Sequence, residues 1–331
     1  MTYQGRSLYN LLQMNLKNNP SLEVEEWQVV DYRALSEEEL FGRLEQMEIF
    51  IDRENFLLYV EQCDSPEDLA DCLYLEEDYE KHEKVFLAVF ELWRRLAFHK
   101  QSLSIFVDEF DHLIERYEEG DIDCEEELQE ALESFQAILD DNVDEGGEAR
   151  EGYHFFSAYS CHDLEIFIFE YIAHQIDAGN EQYANELLDG FYPYVDNKRW
   201  FDLLKARLVA AADIEEGKIM IHRLLGSLKE EPELYLLFET LHYLIYVEET
   251  ELFRLTYYQV LEEIETEEDL RELLMLTVEY FNAIEMEKEE AIVTKLLEEQ
   301  KGKNLQEKIT VPNQALEQLK ELVSLSLVRD E

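Results

Sequence analysis

Glycine and proline are scarce in this chain, 11 and 5 among 331 residues, where average usage gives about 23 and 17. These residues punctuate strands and tight turns, so their shortage argues against a β-rich fold and for long helices. Cysteine is also sparse. Cys63, Cys72, Cys124 and Cys161 never stand as C-x-x-C, which suits reduced structural thiols in a cytoplasmic protein rather than a disulfide frame or a zinc site. No window reaches the roughly 20 apolar residues of a membrane span, and residues 1–20 lack a basic segment followed by an apolar run. Neither insertion nor export is expected. Basic residues are few, 28 Lys plus Arg against 79 Asp plus Glu, and the net charge of -51 opposes approach to nucleic acid or an anionic membrane. No Walker-type, dinucleotide-type or nucleophile-elbow glycine motif occurs, so no nucleotide, cofactor or catalytic residue is expected.

What the chain does contain is 46% apolar residues, enough for a large buried core. Ser36 followed by Glu39 reads as a capping box opening a helix with Leu40, Leu44, Met47 and Ile51 on its apolar face. Ser65 and Pro66 open the next helix as N-cap and first-turn proline. Leu103, Phe106, Val107, Phe110, Leu113, Ile114 and Tyr117 recur at helical spacing that strand alternation cannot produce. Leu128, Leu132, Phe135 and Leu139 continue the pattern as far as Asn142–Gly152, where Gly146, Gly147 and Gly152 mark a break. From Asp121 to Gly152 there are 13 acids and 1 base, so this stretch is expected to be the most exposed acidic surface. The expected organisation is an amino-terminal helical domain over 1–120, an acidic helix and loop over 121–152, and a repeat region over 153–331.

Beyond the break, helix pairs are expected to open near Asp163, Asn197, Pro232 and Glu267, spaced 34 to 35 residues apart. Such a period belongs to stacked helical hairpins, because a single pair cannot cover its own apolar face. Trp200 and Leu203 match the W-x-x-L of the tetratricopeptide repeat, while Leu204 and Arg207 depart from the pattern, and Gly179–Leu188 is similar to the turn and second helix of such a unit, with Ala184 near its small packing position. Residues 163–300 thus resemble a tetratricopeptide-like array. The resemblance implies an all-α, helical-hairpin solenoid, closed here by Pro312–Val328 with Leu316, Leu319, Leu322, Val323 and Leu327 as a cap.

Three E-x-x-H pairs, Glu109–His112, Glu151–His154 and Glu239–His242, have the spacing that helical bundles use for di-metal centres. Glutamate is so frequent that chance supplies such pairs, and no metal is expected. Asp140, Asn142, Asp144 and Glu151 occupy ligand positions of a calcium loop, but Glu145 replaces its turning glycine. An acidic linker is the expected reading. Cys161 beside His162, with His154 nearby, invites a nucleophile reading, yet adjacent helical residues point in different directions, so a packed helix start is expected. Phe191, Tyr192, Tyr194, Trp200 and Phe201 straddle a helix-helix turn and form the candidate partner-binding cluster, aromatics of this kind being either anchors or inter-repeat core. Members of the repeat family that clamp a peptide carboxylate use Lys, Arg and Asn, and near this cluster only Asn197, Lys198 and Arg199 offer such groups.

The expected role is a non-enzymatic interaction scaffold or chaperone-like adaptor, whose acidic surface holds a basic or amphipathic segment of another protein. The alternatives are an acidic mimic of nucleic acid and a metal-dependent helical enzyme.

Overall fold

The structure, a computed structural model, describes residues 5–75, 78–100, 102–247, 249–309 and 313–326. Among them are seventeen α-helices: α1 (Arg6–Asn18), α2 (Glu37–Gln46), α3 (Arg53–Val60), α4 (Pro66–Leu73), α5 (Tyr79–Leu96), α6 (Leu103–Glu118), α7 (Glu125–Asp144), α8 (Ala149–Ser157), α9 (Leu164–Asp177), α10 (Glu181–Phe191), α11 (Lys198–Ala212), α12 (Ile214–Glu230), α13 (Leu234–Tyr246), α14 (Thr250–Glu263), α15 (Glu267–Ala283), α16 (Glu287–Glu299) and α17 (Gln314–Ser326). One isolated bridge, Thr266 to Lys308, is the sole β pairing among the described residues. The class is all-α. No described helix is long and apolar enough to cross a membrane. The chain forms two compact units, residues 1–171 with 189–196, and residues 172–188 with 197–331. The expected break at Asn142–Gly152 lies inside the first.

In the first unit α2 and α4 pack on α5. Every residue from Val85 to Trp93 is buried, so this stretch of α5 is enclosed all round and forms the axis of the core. Leu40, Leu44, Phe56, Val60, Leu69 and Ala70 complete that core, each large apolar side chain contributing about 1.5–3 kcal/mol by leaving water. A second, aromatic core joins α6, α7, α8 and the start of α9: Phe110 meets Phe135, Phe156 and Phe167, and Phe135 stacks on Phe156 with ring centroids 3.9 Å apart. Because α7 commits only Leu128, Ala131, Leu132, Phe135 and Leu139 to this core, its other faces remain in water.

The second unit is built from consecutive helical hairpins, α11 on α12, α13 on α14 and α15 on α16, with α13 also against α15 and α12 against α14. Helices α9, α11, α13 and α15 begin at Leu164, Lys198, Leu234 and Glu267, intervals of 34, 36 and 33 residues. The expected openings fall within two residues of these starts. The α11–α12 turn is one residue, Asp213, whose carboxylate accepts the amides of Glu215 and Glu216. Gly217 lets the two helices close: a Cβ there would stand 2.7 Å from Ala210 Cα, nearer than real Cβ atoms come. At the start of α13, Glu233 accepts from Asn197 Nδ2 at 2.8 Å, from Arg199 Nη2 at 2.8 Å and from the Trp200 indole, tying one hairpin to the next. On α17, Leu319 and Val323 are buried, as a closing helix requires, and α17 packs on α14 and α16. Pro312, Leu327 and Val328 lie outside the described residues.

Two local expectations change. Ile51 is not on α2, which stops at Gln46 because Glu48 takes a left-handed φ of 66° and the Ile49 amide donates back to the Leu44 carbonyl at 2.9 Å, a Schellman-type ending. The glycine-rich break is also shorter than expected. Helix α7 runs to Asp144 and α8 starts at Ala149, leaving a turn in which Gly146 has φ 98°.

Candidate functional site

A cavity of about 720 Å³ opens in the first unit between α1, the segment Val29–Ala34 and α6, with the α8–α9 loop at its floor. Its centre is Asp108, which lies on α6 one turn before His112 and is almost wholly buried. Arg33 Nη2 donates to Asp108 Oδ2 at 2.6 Å, Asn10 Nδ2 donates to Oδ1 at 2.8 Å, and Arg6 Nε stands 3.5 Å from Oδ1. Burial pushes the Asp108 carboxyl up, but Arg6 and Arg33 outweigh it and hold the group below its ordinary value. The network continues outward: Arg33 reaches Glu109 at 3.0 Å, Arg94 joins Glu109 at 3.2 Å and Glu91 at 2.7 Å, and Arg95 donates to the Arg33 carbonyl at 2.8 Å. The single 3₁₀ turn that carries Arg33, Tyr32–Ala34, is thereby pinned to α5 and α6.

One turn along α6, Asp111 forms a second cluster of different character. Ser160 Oγ donates to its Oδ1 at 2.6 Å and the Cys161 amide to its Oδ2 at 2.9 Å. No lysine or arginine pairs with Asp111 among the described residues, and burial pushes its carboxyl up to about 7. Burial also drives the Cys161 thiol far upward, with Asp111 adding to the effect, and lowers His162. Cys161 and His162 are therefore neutral at pH 7 while Asp111 is about half ionised, and Cys161 is no activated nucleophile. Asp111, Cys161 and His162 each present a possible ligand atom, all within 4.8 Å of one another. Cys161 and His162 sit in the loop before α9 rather than on a helix, so the helical argument that separates neighbouring side chains does not apply to them.

The residues singled out by sequence are placed as follows. In the first unit Phe191 is fully buried against Phe135, and Tyr194 is buried with its hydroxyl on Asp140. In the second, Phe201 is fully buried, whereas Tyr192 of the first unit and Trp200 of the second are half-buried. Three of the five aromatics are thus enclosed as core, and Tyr192 and Trp200 are half-buried. Asn197 and Arg199 are engaged by Glu233, so the groups that would clamp a peptide carboxylate already hold an internal one. The E-x-x-H imidazoles lie against other acids, His112 near Glu115, His154 against Asp196 at 2.8 Å and His242 near Glu279. Asp140, Asn142 and Asp144 lie on the last turns of α7 and not in a loop.

Sequence reading missed Asp108 and Asp111, and a signal for the second was present. Asp111 follows Val107 by four residues and precedes Ile114 by three, so an acid occupies the buried stripe of α6. Its partners could not be read, because Ser160 and Cys161 are 49 and 50 residues away. Compared with family models, curated proteins and solved structures, the chain matches none.

Proposed function

We propose that the protein is a non-enzymatic interaction scaffold, a chaperone-like adaptor of the cytoplasm whose acidic face takes a basic amphipathic segment of another protein. The observation that supports this most directly is the solvent side of α7. Glu125, Glu126, Glu130, Glu133, Asp140, Asp141 and Asp144 are all exposed, no lysine or arginine occurs between Arg116 and Arg150, and Arg116 itself is taken up by Asp121 and Glu127. Ile138 and Val143 are partly exposed among these acids, so the face offers apolar contact as well as charge. A basic helix with one apolar stripe matches both features. Helical hairpins in series add to the reading, since tetratricopeptide-type arrays use such hairpins to present broad surfaces, and we assign the second unit to that type.

The test uses a synthetic amphipathic peptide of lysine and leucine, followed by fluorescence anisotropy. Binding is expected to weaken at least tenfold between 50 and 500 mM salt, on the order expected for several screened charge pairs. Replacing Glu125, Glu126, Glu130 and Glu133 together by Gln is expected to weaken it at low salt. Affinity indifferent to both changes removes the electrostatic half of the proposal.

A further inference from the structure

The floor of the cavity in the first unit carries chemistry that an adaptor role leaves unused. Asp111, Cys161, His162 and Met14 all line it, on α6, the α8–α9 loop and α1. We propose that these four side chains form a binding site for one thiophilic d10 cation, Cu⁺, reached through the cavity.

The geometry carries the assignment. Met14 Sδ stands 3.4 Å from Cys161 Sγ. Two sulfurs each about 2.3 Å from a single ion are about 3.8 Å apart at a tetrahedral angle, so the observed pair needs to open only slightly. The carboxylate, thiol and imidazole ligand atoms lie within 4.8 Å of one another, and contraction by about 1 Å, the scale of a side-chain adjustment, brings them to a common centre. Cys161 and His162 belong to a loop, which can give more readily than a helix. Ser160 Oγ and the Cys161 amide fix the Asp111 carboxylate from outside, the supporting arrangement expected around a ligand.

The ligand set selects the ion. Three of the four donors, a thiol, a thioether and an imidazole, favour Cu⁺, and the hard Asp111 carboxylate supplies counter-charge beside it, whereas thioether contributes little to Zn²⁺ and nothing to hard cations. On binding, the Cys161 S–H loses its proton to solvent as the sulfur–metal bond forms, and no oxidation state changes. Electrostatics act in the same direction. The arginines of the cavity, Arg6 and Arg33, are turned to Asp108, so Asp111 faces no competing lysine or arginine at ion-pair distance among the described residues. The net charge of -51 raises the local concentration of any cation.

The experiment is anaerobic titration of the reduced full chain with Cu⁺ against bicinchoninate, with near-ultraviolet absorption reporting the sulfur–copper band. One equivalent is expected to be withdrawn from the chelator. Cys161→Ser is expected to lower affinity at least 100-fold and abolish the band, and Met14→Leu to lower affinity about tenfold, with helical circular dichroism unchanged in both. The Cys63 and Cys72 thiols, which contact one another, are the internal control: the variant C63S/C72S is expected to bind as the parent does. Failure to compete with bicinchoninate, binding that survives Cys161→Ser, or binding lost in C63S/C72S overturns the site. A parallel titration with Zn²⁺ tests the choice of ion, and tight Zn²⁺ binding without Cu⁺ binding overturns that choice.

Discussion

The two units bury polar groups by different means. In the first, the buried polar side chains include Arg6, Asp108, Asp111 and His162, which need partners from other elements, and Glu91, which is held by Arg94 and Arg95 of its own helix. Among the described residues of the second, the buried polar side chains are Gln175, Thr240, Thr256, Thr277 and Gln300, and none is charged. The three threonines donate to the carbonyl four residues earlier in their own helix, Leu236, Leu252 and Leu273. A hydroxyl satisfied by its own helix requires no ionic partner from a neighbour, so hairpins are stacked by apolar packing and by surface contacts such as that of Glu233. An ion at the centre of a cavity instead specifies which segments meet, since each partner removed leaves a charge in a low-dielectric site.

The sharpest way to break this comparison is Asp108→Ala. It leaves Arg6 without its counter-ion and Arg33 with Glu109 alone, and a loss of about 3–5 kcal/mol is expected. Urea unfolding of a Trp200→Phe background measures it, because Trp27 and Trp93 then report on the first unit alone. A loss below about 1 kcal/mol, the scale of a surface ion pair, means the network does not organise the unit.

Acid should act at the same contact. Asp108 is held below its ordinary value of 3.8 despite burial, through Arg6 and Arg33. Its unfolded form therefore binds a proton first, and the stability it contributes is present above that value and lost as pH falls through the folded one. Asn10, Glu109, Arg94 and Asp111 complete its surroundings. The fluorescence of the first unit is expected to change at a higher pH in Asp108→Asn than in the parent, and coincident acid transitions argue against the assignment.

In the second unit, effects should be smaller and should follow packing. Gly217→Ala would gain about 1 kcal/mol from helix propensity alone, but the added methyl meets Ala210. A net loss of about 1–3 kcal/mol is expected, and a gain in melting temperature shows that α11 and α12 are not so close. Thr277→Val removes the acceptor of the Tyr257 hydroxyl, 3.0 Å away in a fully buried position, and is expected to cost about 1–3 kcal/mol. Thr256→Val removes a hydroxyl bonded only within its own helix, for an expected cost near 1 kcal/mol or less. Equal losses for the two threonines remove the distinction between self-satisfied and cross-helix polar groups.

Helix starts were the most legible part of the molecule. Ser36 and Glu39 exchange both bonds of a capping box, at 3.2 and 2.7 Å, and Ser65 caps α4 through the Asp68 amide at 3.1 Å. Each device spans three residues, so neighbouring sequence suffices to read it. The end of α2 was not legible because Glu48, a residue that rarely accepts a left-handed φ, does so here. The cavity was hidden for a different reason. Asp108 is joined to Asn10 and Arg33 across 98 and 75 residues, and nothing in the local pattern of α6 says which cations would arrive.

The sequence by itself determined the helical class, the 34 to 35 residue rhythm of the helix pairs and the acid face of α7, since each follows from spacing along the chain or from composition along one helix. Only the tertiary structure decided that Phe191, Tyr194 and Phe201 are enclosed, and that Asp111, Cys161, His162 and Met14 converge. Burial and convergence depend on how helices distant in the chain close on one another, and that is set by the packing of whole faces, which no single stretch of sequence contains.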